Sequence, residues 1–260
     1  MKTQKKMKNI ITATLLFFSA CIFAQDKFEV TYITRIILPS DFEFQASGGR
    51  AMSKDMQDDF KKALQEPQES TLTVFGQQSF YKAVEKISND QEASMGRSHM
   101  KFMRFGGDNI FQDLANGIYY KDLMISAKDY TIKDQLKPYD WKLTRETKTI
   151  LGNEARKATL TQNDQELTVW YATKIPNKTG PENYWGLPGL ILEIESPLDQ
   201  GWIKGKRIIT IGDIKPIANT KPIEAPKVKT TITEAEFEKL KEEQRLRAEQ
   251  MRNQGVETKN

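Results

Sequence analysis

The chain has 260 residues, of which 39 are basic and 35 acidic, with a single histidine and a single cysteine. One cysteine excludes an intrachain disulfide, and one histidine excludes a zinc site built from several imidazoles. The formal charge of +4 depends on four lysines near the N-terminus. A chain processed behind them has 35 bases against 35 acids, which gives no indication of a nucleic-acid partner.

Residues 1–24 have the pattern of a secretory signal peptide. The four lysines precede the apolar run Ile10 to Ala24, whose 15 residues are fewer than the roughly 20 that a membrane-spanning helix needs. Two processing routes stay open. The chain is cleaved after Ala24, or Cys21 is lipidated in the loose lipoprotein box Phe18-Ser19-Ala20-Cys21. Cys21 also fits as an ordinary apolar residue of the signal. We expect an exported protein, either periplasmic, outer-membrane-associated or secreted, with no transmembrane segment after signal removal.

Residues 25–231 are predicted to form an antiparallel β domain. In Lys27 to Leu38, apolar residues alternate with polar ones, and Thr34 is the one polar residue on the apolar side. The turn signals Gly76-Gln77 and Asn116-Gly117 separate the strands that follow. The other predicted strands are 70–75, 78–84, 118–127, 141–150, 155–161, 166–172, 190–195 and 202–211, with a turn around Pro197 to Gly201.

Two helices interrupt this pattern. Residues 53–65 place Met56, Phe60 and Leu64 on one stripe, which fits either a surface insertion or a lid over the sheet. Residues 232–260 are predicted to form a charged C-terminal helix and tail. Thr233 and Glu236 have the spacing of a capping box at the start of this helix. The helix is either solvated or used to dock a partner.

No pattern of catalytic residues emerges from the sequence. His99 lies in a polar stretch without a nucleophile elbow nearby, so we expect it to be a solvated side chain. Glu193 and Glu195 share a strand parity and are expected to form a solvent-facing row. A carboxylate pair that meets in space stays open as an alternative, because glycoside hydrolysis needs two such groups. We predict no cofactor and no metal site.

The most distinctive passage runs from Trp170 to Glu195. Leu187-Pro188-Gly189-Leu190 fits a type II turn, in which proline sets φ at the second position and glycine supplies a positive φ at the third. Gly186 before it would allow close approach of the backbone. The passage is predicted to be either an ordered corner that starts a strand or the rim of a binding site. Its candidate residues are Trp170, Tyr171, Pro176, Gly180, Pro181, Tyr184, Trp185, Gly186, Leu187, Pro188, Gly189, Leu190 and Ile191.

Residues 186–191 spell the motif of the GLPGLI family of exported Bacteroidetes proteins, which this chain resembles. Trp141, Lys157-Ala158-Thr159, Trp170-Tyr171, Ile175-Pro176 and Gly180-Pro181 precede the motif as in that family. Related proteins often have a cysteine where this chain has Ala155, so no role that needs a thiol there carries over. The resemblance implies export and, since the family has no assigned activity, no catalytic residue.

Together these features predict a mainly β (α+β) protein, in which a curved antiparallel sheet carries peripheral helices, similar to lipoprotein carriers. We expect a non-enzymatic envelope module that binds an apolar ligand or another envelope protein. The alternatives are an assembly partner that acts through the C-terminal helix and a carboxylate-dependent hydrolase. An apolar cavity larger than ~300 Å³ beneath the motif would favour the apolar ligand.

Overall fold

A computed structural model describes residues 27–43, 53–84, 109–125, 128–200, 203–218, 221–228 and 230–257. Cys21 and His99 lie outside these residues. The described chain forms twelve strands and two helices. In chain order they are β1 (Lys27–Ile37), α1 (Lys54–Gln65), β2 (Gln68–Phe75), β3 (Gln78–Ala83), β4 (Ile110–Asp113), β5 (Ile118–Ile125), β6 (Lys128–Gln135), β7 (Lys142–Ile150), β8 (Asn153–Gln162), β9 (Gln165–Ala172), β10 (Leu190–Gln200), β11 (Ile203–Pro216), β12 (Thr231–Ile232) and α2 (Glu234–Glu257).

All twelve strands belong to one sheet, in the order β12-β6-β5-β4-β3-β2-β1-β11-β10-β9-β8-β7. Every neighbouring pair is antiparallel except β12 and β6, which are parallel. Short turns make this order possible, and Gly76, Gly117 and Gly152 supply the positive φ that three of the tight hairpins need. The predicted mainly β class with an antiparallel sheet and peripheral helices is confirmed.

The sheet cannot be flat. In its strand order β6 and β7 lie ten positions apart, which is roughly 48 Å at about 4.8 Å per strand. The chain nevertheless passes from Gln135, the last residue of β6, to Lys142, the first residue of β7, in seven steps that span at most about 25 Å. The sheet therefore rolls until its two ends approach each other. Residues 136–141, the seam connector, bridge the gap between those ends.

The rolled sheet has its core where the alternating apolar residues of β1 meet those of its neighbours. Val30 and Tyr32 are fully buried, and Thr34 is buried among them as the sequence pattern predicted. Helix α1 packs on the sheet through Leu64, which lies in a cluster with Ile36 of β1. Met56 is 50% exposed, so only the second half of the predicted stripe faces the sheet.

The sequence did not predict three of the strands, namely β4, β6 and β12. Pro197 was expected in a turn, but it lies inside β10 opposite Lys206 of β11. The pairing between β10 and β9 ends at Glu195 and Thr168, so the nitrogen of Pro197 is not required for a ladder hydrogen bond there. Neither described helix combines the length and the apolar character needed to cross a membrane.

Candidate functional site

The motif loop, residues 173–189, connects β9 to β10 and folds back on itself before β10 begins. The amide of Gly186 donates to the carbonyl oxygen of Lys178 at 2.8 Å. The amides of Leu190 and Ile191 donate to the carbonyl oxygens of Ile175 and Thr179 at 3.0 and 3.1 Å. The first residues of β10 therefore pair with the loop itself, which makes the loop an ordered part of the sheet.

The two glycines of the motif have the opposite roles from those predicted. Gly186 has a φ of +98°, whereas Gly189 has no positive φ, so the predicted type II turn is wrong. The amide of Gly189 instead donates to the carbonyl oxygen of Leu187 at 2.8 Å, in a three-residue turn around Pro188. A Cβ atom at Gly189 would lie 2.1 Å from the carbonyl oxygen of Ala172. Gly189 is therefore the residue of close approach, and Gly186 is the residue of positive φ.

An ion pair ties the motif loop to the sheet. Arg207 of β11 donates two hydrogen bonds to the carboxylate of Glu182, at 2.7 and 2.9 Å, and both side chains are largely buried. Burial by itself lowers the pKa of Arg207, but the charge and hydrogen bonds of Glu182 more than offset this and raise the pKa above its ordinary value. Glu182 adopts a φ of +57°, which is strained for a residue with a side chain.

The next residue of the loop joins distant parts of the sheet. The carbonyl oxygen of Asn183 accepts a hydrogen bond from Nε2 of Gln112 at 2.9 Å and one from the hydroxyl of Tyr139 at 3.4 Å. Gln112 lies in β4 and Tyr139 lies in the seam connector that leads to β7. Strands β4 and β7 are eight positions apart in the sheet. One main-chain carbonyl thus helps to hold the sheet in its rolled form.

Aromatic side chains fill the space between the loop and the seam connector. Nε1 of Trp141 donates to the carbonyl oxygen of Trp185 at 2.9 Å. The ring centroids of Tyr139, Trp141 and Tyr184 lie 5.4 to 6.3 Å apart. Burial, followed by the charge of Glu182, raises the pKa of Tyr184 to about 12, so its hydroxyl stays protonated at neutral pH. The hydrogen bond from Trp141 fixes the main chain of Trp185, which is itself a half-buried residue.

A cleft of about 240 Å³ opens where the ends of the rolled sheet meet. We call it the seam cleft. Half-buried aromatic rings, amide side chains and charges of both signs surround it. Its wall is formed by Tyr119, Lys121, Asp134, Gln135, Leu136, Lys137, Pro138, Tyr139, Gln162, Asn183, Trp185 and Glu234.

The start of α2 closes one side of the seam cleft. The hydroxyl of Tyr119 donates to Oε2 of Glu234 at 2.5 Å, and the amide of Glu234 donates to Oδ2 of Asp134 at 3.0 Å. Burial and the nearby carboxylate of Glu234 raise the pKa of Tyr119 well above its ordinary value. The amides of Glu234 and Gln135 lower the pKa of Asp134, so its carboxylate is charged at neutral pH.

Most residues of the predicted motif site are buried. Only Pro176, Gly186 and Pro188 are exposed, and Trp185 is half-exposed. The remaining nine candidates are buried, namely Trp170, Tyr171, Gly180, Pro181, Tyr184, Leu187, Gly189, Leu190 and Ile191. A Cβ atom at Gly180 would lie 2.7 Å from Cδ1 of Ile191, so close packing explains this glycine. Among the predicted residues, Trp185 alone reaches the seam cleft.

Glu193 and Glu195, which the sequence marked as a possible carboxylate pair, each form an ion pair with a lysine. Glu193 forms an ion pair with Lys148, whose Nζ also lies 4.3 Å from the ring centroid of Trp170. Glu195 pairs with Lys206 at 3.0 Å. Sequence reasoning missed Tyr119, Asp134, Asn183 and Glu234, although the capping box at residues 233–236 did mark the start of α2.

The fold and site define a mostly β protein whose motif loop helps to roll a single sheet. Residues 161–193 match the family model described as "Protein of unknown function (Porph_ging)", a family associated with Bacteroidetes. The match covers the end of β8, all of β9, the motif loop and the first residues of β10. No catalytic activity is named in that description.

No curated protein matches the chain. Two solved structures of PNGF-II, in C2 and P21 space groups, are similar to it with a TM-score of 0.49 each and sequence identities of 15% and 16%. Each alignment covers 82% of this chain and 32% of the PNGF-II chain, so this chain spans about a third of the length of that protein.

Proposed function

We propose that the chain is an exported envelope protein of the GLPGLI type and that it acts as a non-enzymatic recognition module for another envelope protein. The seam cleft is its proposed contact site. One observation carries this proposal. Half-buried Trp185, whose main-chain carbonyl oxygen accepts a hydrogen bond from Nε1 of Trp141, lines an open cleft together with Tyr119 and Tyr139 at the junction of the sheet ends. Aromatic residues, tryptophan and tyrosine above all, are enriched at protein interfaces and among the residues that contribute most to binding.

The filled interior favours a protein partner over an apolar ligand. Leu187, Leu190, Ile191 and Leu192 of the motif region are fully buried and pack in the core clusters. The seam cleft beside them is smaller than the ~300 Å³ of a typical ligand pocket, and charged groups line it. A shallow, partly charged cleft suits a protruding side chain of a partner protein.

The described residues also favour recognition over hydrolysis. An acid catalyst in a carboxylate pair needs a raised pKa. Asp134, which lines the seam cleft, instead has a lowered pKa, because the amides of Glu234 and Gln135 donate hydrogen bonds to its carboxylate.

A photo-reactive amino acid at position 185 tests the proposal. We expect the full-length chain, expressed in its native host, to crosslink from position 185 to one discrete envelope protein. Thr149, an exposed residue of β7, is the matched control position and should give no such product. Equal products from both positions, or none from position 185, would contradict the proposal. Cell fractionation of the same cultures tests export.

A second candidate function is assembly through α2. This helix of 24 residues exposes Leu246 and Met251 at 44% and 68%. Substituting both with glutamate in the full-length chain should abolish complex formation if α2 carries the contact, and should leave crosslinking from position 185 unchanged if the seam cleft carries it.

A further inference from the structure

The segment that leads into α2 is attached to the outer edge of the sheet through a two-residue strand and through Glu234. We call residues 230–236 the C-terminal strap. Its two-residue strand β12 pairs in parallel with Thr131 and Ile132 of β6. Glu234 accepts a hydrogen bond from the hydroxyl of Tyr119 and donates one from its amide to Asp134. Thr231 and Thr233 are exposed, and Ile232 is only half-buried.

The strap covers only part of the edge of β6. This strand runs from Lys128 to Gln135, and in the part of the chain that the structure describes, strand pairing on its outer side is confined to Thr131 and Ile132. An edge strand offers main-chain donors and acceptors that a further extended segment can pair with. The edge has thus already accepted a short extended segment, which is the chain's own.

The opposite edge of the sheet is less suited to pairing. Strand β7 carries a register shift between Leu143 and Thr147 where it pairs with β8. Such an irregularity bends an edge strand and hinders the addition of another strand. Strand β6 pairs with β5 over its full length without a shift. Of the two edges, β6 therefore offers the regular template.

The motif loop and the strap differ in how firmly they are held. The loop has a buried ion pair between Arg207 and Glu182, whereas the strap is attached through exposed or half-buried residues. The strap is therefore the element that can leave the sheet at the lower cost. Dissociation of the strap would expose the edge of β6 and remove Glu234 from the wall of the seam cleft.

From this geometry we propose that the edge of β6 docks an extended segment of a partner polypeptide, which adds to the sheet as a strand by displacing the strap. This inference rests on the proposed function and specifies its partner. The docked segment carries a β-branched apolar side chain opposite the buried Ile132, as Ile232 does here, because alternate side chains give such strand additions their specificity. Main-chain pairing supplies the affinity.

A reversible lock on the strap tests the proposal in the full-length chain. The variant carries Thr131→Cys and Thr231→Cys, which are Cα partners in the sheet, and Cys21→Ser so that these are its only cysteines. The probe is a fluorescein-labelled peptide of residues 227–236. In the oxidised variant the disulfide holds the strap on β6, where it competes with the peptide at high effective concentration. We therefore expect the reduced variant to bind the peptide at least about tenfold more tightly than the oxidised variant. The same peptide with Ile232→Asp is the control and should not bind.

Two results would overturn the proposal. One is equal binding to the oxidised and reduced forms, which would place the peptide elsewhere. The other is no binding to the reduced form even after Glu234→Ala has loosened the strap. Hydrogen exchange of the unmodified chain gives an independent measure. The amides of Ile232 and Glu234 should exchange at least about tenfold faster than the amide of Ile191, and equal protection would also overturn it. Crosslinking from position 185 does not depend on these results, so the two proposals fail separately.

Discussion

A Cβ atom at Gly189 would lie 2.1 Å from the carbonyl oxygen of Ala172. Gly189 is the second glycine of the Gly-Leu-Pro-Gly motif, and Ala172 is the last residue of β9. This contact brings the start of β10 against the end of β9 and thereby allows the motif loop to fold over the sheet. The second glycine is thus required by tertiary packing, not by the conformation of a local turn.

We predict that Gly189→Ala destabilises the chain by about 3 kcal/mol or more, because the new methyl group meets backbone that cannot move aside. Gly186→Ala is the matched control. Its Cβ would meet nothing closer than Nε1 of Trp141 at 3.6 Å, so the cost is the positive φ alone, about 1–2 kcal/mol. Urea unfolding measures both values. A larger loss at position 186 would contradict this assignment of the two glycines.

The buried ion pair between Arg207 and Glu182 should show strong coupling. Replacing either residue alone, as Arg207→Met or Glu182→Leu, removes the opposite charge of this pair from a largely buried group and should cost about 3 to 5 kcal/mol. The double variant should recover most of this loss, since neither charge is then buried. A double-mutant cycle by urea unfolding measures the coupling, and additive losses would show that the pair does not hold the loop.

Trp141 and Trp185 should respond differently to the same change. Trp141→Phe removes the indole donor to the carbonyl oxygen of Trp185 and should lower the free energy of unfolding by about 1–2 kcal/mol. Trp185→Phe keeps the main-chain acceptor and should cost less, while weakening partner crosslinking from a neighbouring cleft position such as Gln162. If the two substitutions had equal effects on stability, the indole of Trp141 would not be the anchor.

The predictable part of this fold is the part with a local signal. Phe28, Val30, Tyr32 and Ile36 alternate along β1, and the structure buries all four. The hairpin turns at Gly76 and Gly117 also stand where turn residues indicated them. Strand β4 was not predicted, because all four of its residues are buried and its sequence shows no alternation of apolar and polar residues. Strand β12 is too short to carry a pattern.

The seam cleft could not be predicted, because its residues meet only once the sheet has rolled. Tyr119 and Glu234 are 115 residues apart in the sequence and form a hydrogen bond. The acceptor on Asn183 is a main-chain carbonyl, which every residue has, so the residue type gave no signal. Of the residues predicted around the motif, Trp185 is the one that lines the cleft.

The attachment of the strap should depend on pH through Asp134. Hydrogen bonds from the amides of Glu234 and Gln135 lower the pKa of this carboxyl group, with a smaller contribution from Lys137. Because the folded-state pKa of Asp134 lies below the ordinary value of about 3.9, the stabilisation that its carboxylate provides is fully present above about pH 3.9. It is lost as the pH falls through the folded-state value. NMR shifts of the amides of Thr231 and Ile232 should report this release.

Asp134→Asn is the control for the pH experiment. This side chain cannot lose a charge, so the amide shifts of residues 231 and 232 should no longer change with acid in the same range. An unchanged acid response in the variant would assign the release to another group.

The rolled sheet is the basis of the seam cleft, and one distance tests it most directly. Gln135 at the end of β6 and Gln162 at the end of β8 both line the cleft and are exposed, so each accepts a spin label as a cysteine variant. Their strands are nine positions apart, roughly 43 Å across a flat sheet. Pulsed electron–electron double resonance should give a distance below about 25 Å if the ends meet, whereas a distance near the flat-sheet value would contradict the account.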